Sequence, residues 1–72
     1  MKILIVDDDV MLADLLEAEL LDQGHEVCGV ATNVAEAVNL VRLHRPDIAV
    51  LDIALHNHAA KRILTIDLGV TR

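Results

Sequence analysis

The sequence has no Phe, Trp or Tyr, one Pro and one Cys among its 72 residues. An aromatic core is therefore excluded, and any core has to be built from Leu, Ile, Val and Ala. The lone Cys28 excludes an intramolecular disulfide, which is consistent with a reducing compartment. No apolar run approaches the roughly 18 residues of a membrane span. We therefore expect a cytoplasmic protein without membrane association.

Basic residues are also scarce. Six Lys and Arg stand against twelve Asp and Glu, which gives a formal net charge of −6. Because binding to phosphate backbones needs clustered positive charge, direct nucleic acid binding is not expected. Hydrophobic residues make up 54% of the chain, which argues against disorder. The length permits one small domain, whose stability should be marginal.

Apolar patterning predicts an alternation of strands and helices. Short apolar runs rich in β-branched residues are typical of strands buried in a parallel sheet. Longer segments with apolar residues every three or four positions indicate helices. The order β-α-β-α-β, with right-handed crossovers, predicts an α/β sheet of three parallel strands in order 2-1-3 with helices on both faces. The predicted strands are 3–6, 26–31 and 48–51.

Residues typical of helix ends bound the two predicted helices. Asp8 or Asp9 can cap the first helix, and Gly24 stands where a glycine commonly follows a helix end. Asn33 can cap the second helix, with Glu36 three positions later in an arrangement close to a capping box. Pro46 then prevents that helix from continuing.

Acidic residues follow two strands that are predicted to be neighbours. Asp7 and Asp8 end the first strand, and Asp52 ends the third. Ligands of open parallel sheets bind beyond the carboxyl ends of the strands, and neighbouring strands lie about 4.8 Å apart. Several carboxylates in one place repel each other unless a cation intervenes, and Mg²⁺ prefers such oxygen ligands. The sequence therefore predicts a magnesium site, although helix capping by the first two acids and a solvated turn at Asp52 are simpler alternatives.

Two segments carry a family resemblance. Residues 2–9 (KILIVDDD) and 46–53 (PDIAVLDI) are similar to the receiver domains of bacterial two-component response regulators, which have a flavodoxin-like fold. The resemblance implies that Asp52 accepts a phosphoryl group from a sensor histidine kinase or a phosphotransfer protein. It implies Mg²⁺ held by Asp7, Asp8, Asp52 and the backbone carbonyl of Ala54, and a signalling role without enzymatic activity. Asp9 matches no functional position and is expected to cap a helix.

The chain also departs from the family pattern. A complete receiver has two further β-α units, which bring a Thr or Ser hydroxyl and a Lys to the phosphoryl oxygens, and residues 1–72 offer neither at a matching place. We therefore expect a partial receiver domain with impaired phosphorylation. One alternative is a truncated non-catalytic interaction module or gene fragment. A weaker alternative is a fragment of a haloacid-dehalogenase-like phosphatase, with Asp7 as nucleophile and Asp9 as acid/base.

The segment after residue 55 has the weakest pattern. We predict a third helix at about 59–68, with a strand over 63–66 as the alternative. Unless this tail folds back, the third strand (48–51) is an apolar sheet edge with unpaired backbone groups. Such an edge is a template for pairing with another chain. The sequence therefore predicts that the isolated chain dimerises, aggregates or requires a partner, with the exposed third-strand edge as the surface through which a homo-oligomer could form.

Overall fold

The computed structural model describes residues 1–54 and 61–68, with residues 52–54 and 61–64 described by their backbone alone. The described elements follow the predicted order β-α-β-α-β as far as residue 54, and a fourth strand then takes the place of the predicted third helix. Their bounds are β1 Lys2–Asp7, α1 Val10–Asp22, β2 Glu26–Ala31, α2 Val34–His44, β3 Ile48–Ala54 and β4 Lys61–Asp67.

The strands form one sheet in the order β2-β1-β3-β4. β1 is parallel to both of its neighbours, so the predicted parallel order 2-1-3 is confirmed. β4 is antiparallel to β3 and adds a fourth strand to the sheet. The carboxyl ends of β1 and β3 therefore lie side by side, at the end of the sheet where β4 begins.

The predicted helix at 59–68 is wrong, because the structure places β4 at Lys61–Asp67. Residues 59 and 60 lie outside the described residues. The physical reason is visible in the composition. Ile63, Thr65 and Ile66 are β-branched, so they pack well on a pleated surface and lose side-chain freedom in a helix.

The predicted free edge on β3 is also wrong. β4 pairs with β3 from Ile48 opposite Asp67 to Ala54 opposite Lys61. The Leu68 N–H extends this pairing by donating to the Asp47 carbonyl at 2.8 Å. Pairing satisfies backbone groups that would otherwise need water or another chain. Oligomerisation through β3 is therefore not supported, and the outer edge on this side of the sheet belongs to β4.

The core lies on the central strand. Ile3, Leu4 and Ile5 of β1 are 3%, 0% and 0% exposed. Because side chains alternate along a strand, Leu4 lies on one face of the sheet and its two neighbours lie on the other. The crossovers through α1 and α2 run in opposite directions across the sheet, so right-handedness places the helices on opposite faces. Both faces of β1 are thus covered.

The helices leave much apolar surface uncovered. In α1, Ala13 is fully buried, whereas Met11 and Leu15 are 77% and 68% exposed. Beside α2, an open apolar groove of about 330 Å³ runs over β3 and β4 and is lined in part by Val38, Leu51 and Ile66. Within the described ranges, no helix combines the length and apolar character needed to cross a membrane.

Helix caps form as the sequence predicts. The Asp9 carboxylate accepts hydrogen bonds from the N–H groups of Met11 and Leu12, at 3.0 and 3.2 Å. At the other end of α1, Gly24 follows the C-cap with φ of +90°, a conformation that glycine adopts at little cost. These caps set where the chain leaves β1 and where it enters β2.

The capping of α2 is reciprocal but shifted by one residue from a standard capping box. The Glu36 N–H donates to the Asn33 side chain at 2.9 Å. The Glu36 carboxylate accepts hydrogen bonds from the hydroxyl and the backbone N–H of Thr32. These bonds favour the charged carboxylate, so the Thr32 hydroxyl first and the Thr32 N–H second lower the pKa of Glu36.

This lowered pKa predicts an acid-sensitive contribution to stability. A pKa below the unfolded value means that the charged carboxylate stabilises the fold above about pH 4.3, and that this contribution is lost as the pH falls through the folded pKa. We expect Glu36→Gln to be less stable than wild type at neutral pH, with the difference shrinking below about pH 4.3. Thermal denaturation followed by circular dichroism at several pH values would measure this.

Thr32→Val is the matched variant, because it removes the hydroxyl donor and keeps the backbone donor. It should reduce the acid sensitivity in part. If Glu36→Gln and wild type differ by the same amount at pH 3 and at pH 7, the assigned role of Glu36 is wrong.

Candidate functional site

The strand register brings two acidic positions together. Asp7 at the end of β1 is the Cα partner of Asp52 on β3. Neighbouring parallel strands are about 4.8 Å apart, and register partners point to the same face of the sheet. The predicted meeting of these positions is therefore seen in the backbone, at the carboxyl end of the sheet where ligands of α/β folds bind.

Asp7 is a charged residue in a buried position. Only 1% of its surface is exposed. Its Oδ1 atom accepts a hydrogen bond from the Asp9 N–H at 2.8 Å. This bond ties the Asp7 side chain to the turn that follows β1. A buried carboxylate is costly unless hydrogen bonds, an opposite charge or a metal ion compensate it.

The two following acids differ from Asp7 in their surroundings. Asp8 is exposed, directly beyond the end of β1. Asp9 caps α1 through its side chain, as predicted from the sequence. The capping bonds use Asp9 for helix initiation, which leaves no structural support for its alternative role as an acid/base. Asp7 and Asp8 stand directly before this capping residue, at the carboxyl end of β1.

The backbone of β3 continues past Asp52 to Ala54, so the Ala54 carbonyl belongs to the same end of the sheet. The antiparallel register places Lys61, the first residue of β4, opposite Ala54. Because a helix was predicted over this segment, the position of Lys61 opposite Ala54 was not predicted. The sequence signal for β4 is its β-branched residues, and this signal is weak because it covers a single strand.

The chemistry of these groups suits a hard cation. Carboxylates and a backbone carbonyl offer oxygen ligands, which is the donor set that Mg²⁺ prefers. Among the side chains that the structure describes, which do not include residue 52, no group of three or more His, Cys, Asp or Glu residues could hold a metal ion. For a magnesium site, the structure therefore gives two observations. The Asp7 carboxylate is buried, and the backbone of Asp52 lies beside it on β3.

The fold and this site define a class of protein. The family model for the response regulator receiver domain matches residues 3–64. The chain therefore belongs to the receiver domain family of two-component signalling. The family is non-enzymatic, and its domains generally use Mg²⁺ and receive their signal from a kinase. No solved structure matches the chain significantly.

Similar proteins are response regulators from several bacteria. The chain is 37% identical over 70 residues to the chemotaxis protein CheY of Thermotoga maritima, covering 92% of this chain and 58% of that protein. It is 33% identical over 54 residues to the transcriptional regulatory protein PdtaR of Mycobacterium tuberculosis, covering 75% of this chain and 26% of that protein. It is 38% identical over 55 residues to the virulence transcriptional regulatory protein PhoP of Salmonella typhimurium, covering 76% of this chain and 24% of that protein. The chain thus spans between about a quarter and three fifths of these relatives.

Proposed function

We propose that this chain is a phosphoacceptor module of a two-component phosphorelay, in which Asp52 accepts the phosphoryl group. Mg²⁺ would be held by the carboxylates of Asp7, Asp8 and Asp52 and by the Ala54 carbonyl. Residues 1–72 would act as a partial receiver domain, with a sensor histidine kinase or a phosphotransfer protein as donor and the cytoplasm as location.

One observation carries the proposal: the register that pairs Asp7 with Asp52 at the carboxyl ends of two parallel strands. Asp7 is buried and constrained by its bond to the Asp9 N–H, which suits a ligand that must be held in place. Asp52 is one strand away and precedes the end of β3 by two residues. This position supports a role for Asp52 as a nucleophile that the phosphodonor approaches from the carboxyl end of the sheet.

The transfer would be a substitution at phosphorus. A carboxylate oxygen of Asp52 attacks the phosphorus atom, a new P–O bond forms, and the bond between phosphorus and the donor's nitrogen or oxygen breaks. The leaving group takes the electron pair of that bond and a proton from solvent. Bound Mg²⁺ would neutralise the negative charge that the acids and the phosphoryl oxygens bring together. Asp7 and Asp8 contribute by positioning that charge.

Acetyl phosphate is the probe that tests the proposal, since it needs no identified kinase. In the presence of Mg²⁺, we expect a hydroxylamine-sensitive phosphoryl adduct that maps to Asp52 by mass spectrometry. When EDTA is present from the start of the reaction, no adduct should form, because Mg²⁺ is then not available for the transfer. We expect substoichiometric labelling, because the matching hydroxyl and Lys of a complete receiver are not among these residues.

The arms of this experiment separate the alternatives. Labelling at Asp7 would favour the phosphatase-like alternative. The absence of any adduct at millimolar acetyl phosphate and Mg²⁺, in a sample shown to be folded by circular dichroism, would favour a non-catalytic interaction module.

A further inference from the structure

β4 forms one border of the described sheet. In the described part of the sheet, β4 has β3 on one side and lies at the border of the sheet on the other. Such a border offers backbone donors and acceptors to any strand that can align with it. Which groups point outward, and which partner fits them, follows from the register and the sequence of β4.

The pairing with β3 identifies the outward groups. In an antiparallel pair, alternate residues direct both N–H and C=O to the neighbouring strand. The Leu68 N–H donates to the Asp47 carbonyl, so Leu64 and Ile66, at the same parity, also face β3. The other four residues direct their backbone groups away from β3; they are Lys61, Ile63, Thr65 and Asp67.

The charges at the two ends of β4 are opposite, so two antiparallel copies of the strand place unlike charges opposite each other. The strand begins with Lys61 and Arg62, ends with Asp67 and has four uncharged residues between them. If two copies run antiparallel about a twofold axis at Leu64, Lys61 of each copy stands opposite Asp67 of the other. Ile63 then stands opposite Thr65, so outward-facing residues meet outward-facing residues throughout. Opposite charges at facing positions stabilise a strand pair, and like charges destabilise it.

We propose that β4 pairs with β4 of a second copy of this chain, antiparallel and centred on Leu64. The two sheets then join into one sheet of eight strands, and each copy uses the same edge, as a closed twofold dimer requires. The partner strand also covers part of Ile66, which is 45% exposed at this border. This assembly is independent of the function proposed for Asp52.

The opposite border of the sheet is a poorer candidate. β2 carries one charged residue, Glu26, at its start and none at its end. A twofold pairing of β2 with itself would place Glu26 opposite an uncharged Ala31, without charge complementarity. Pairing of β2 with β4 would repeat without closing and would produce filaments rather than dimers.

Association should be weak. Two strands of seven residues bury less than the roughly 1,200 Å² of a standard stable interface. We expect a dissociation constant on the order of 100 µM. Sedimentation velocity of the 72-residue chain across this concentration range should show conversion from monomer to dimer. A monomer that persists to about 1 mM, or a continuous series of larger species, would overturn the proposal.

Charge exchange gives the sharper test. Within one chain the positions directly opposite residues 61 and 67 on β3 are the uncharged Ala54 and Ile48. Asp52 is the diagonal neighbour of residue 61, so circular dichroism of each variant is needed to show that the sheet is retained. We expect Lys61→Asp and Asp67→Lys each to weaken self-association about tenfold, because two symmetric attractions become repulsions. A mixture of the two variants should associate, and the double variant should recover wild-type association.

Hydrogen exchange locates the interface residue by residue. The amides of Ile63 and Thr65, which face away from β3, should exchange more slowly as the protein concentration rises. The amides of Leu64 and Ile66 serve as internal controls, because they face β3 in the monomer as well. Dimerisation that is unaffected by the charge variants, or protection that does not alternate along β4, would show that another surface forms the dimer.

Discussion

Asp52→Asn is expected to abolish phosphoryl labelling by acetyl phosphate while leaving the fold intact. The amide has nearly the shape of the carboxylate but is not a nucleophile of comparable strength, so no acyl phosphate can form at this position. The backbone of residue 52 pairs with Asp7 on one side and with Ile63 on the other, and the substitution changes none of these backbone groups. Labelling is measured by intact mass, and folding by circular dichroism.

Two further variants make this result specific. Asp22→Asn changes an exposed aspartate at the end of α1 and should leave labelling unchanged. Asp7→Asn keeps the Oδ1 acceptor of the Asp9 N–H and removes a charge from the metal site. It should slow labelling at Asp52, with partial recovery at higher Mg²⁺ concentration. Labelling that survives in Asp52→Asn at the wild-type level would refute the assignment of the phosphoacceptor.

The parallel part of the fold could be predicted because local and global signals agree. The apolar run of β1 ends abruptly at the aspartates, and Asp9 supplies the cap that turns the chain into α1. Asn33 and Glu36 do the same for α2. Once these elements are in order, right-handed crossovers leave one arrangement for three parallel strands. The juxtaposition of Asp7 with Asp52 then follows from topology rather than from any local sequence signal.

The fourth strand could not be predicted in the same way. Residues 61–68 have apolar residues at spacings that fit both a helix and a strand, so periodicity does not decide between them. The deciding term is non-local: β3 has an edge with backbone groups to satisfy, and the segment at 61–67 can pair with it. Propensity is a weak prior that such tertiary pairing overrides.

The extent to which the apolar helix faces are buried could also not be predicted from the sequence. Leu12, Leu16 and Leu20 recur every four residues and indicate one apolar face, yet Leu12 is 40% exposed and the other two are half-buried. A periodic pattern identifies the face that can be buried and does not state how much neighbouring structure is present to bury it. The apolar groove beside α2 has the same origin, since a single helix on this face leaves β3 and β4 in part uncovered.

Ile5→Ala is expected to cause the largest loss of stability. Ile5 is fully buried on the central strand, where β2 and β3 flank it and α1 covers its face of the sheet. Removing a buried Ile side chain down to Ala costs about 2–5 kcal/mol, because apolar burial is lost and a cavity remains. A domain of 72 residues has a free energy of unfolding of roughly 4–11 kcal/mol. The variant should therefore lose a large share of it.

Thermal denaturation at fixed protein concentration tests this, since each 1 kcal/mol shifts the Tm of a domain of this size by roughly 4–8 °C. Met11→Ala is the matched control, because the Met11 side chain is 77% exposed and its capping bond to Asp9 uses the backbone N–H. Its effect should stay within about 0.5 kcal/mol. If the two variants melt at the same temperature, β1 is not the centre of the core, and the register that joins Asp7 to Asp52 loses its structural support.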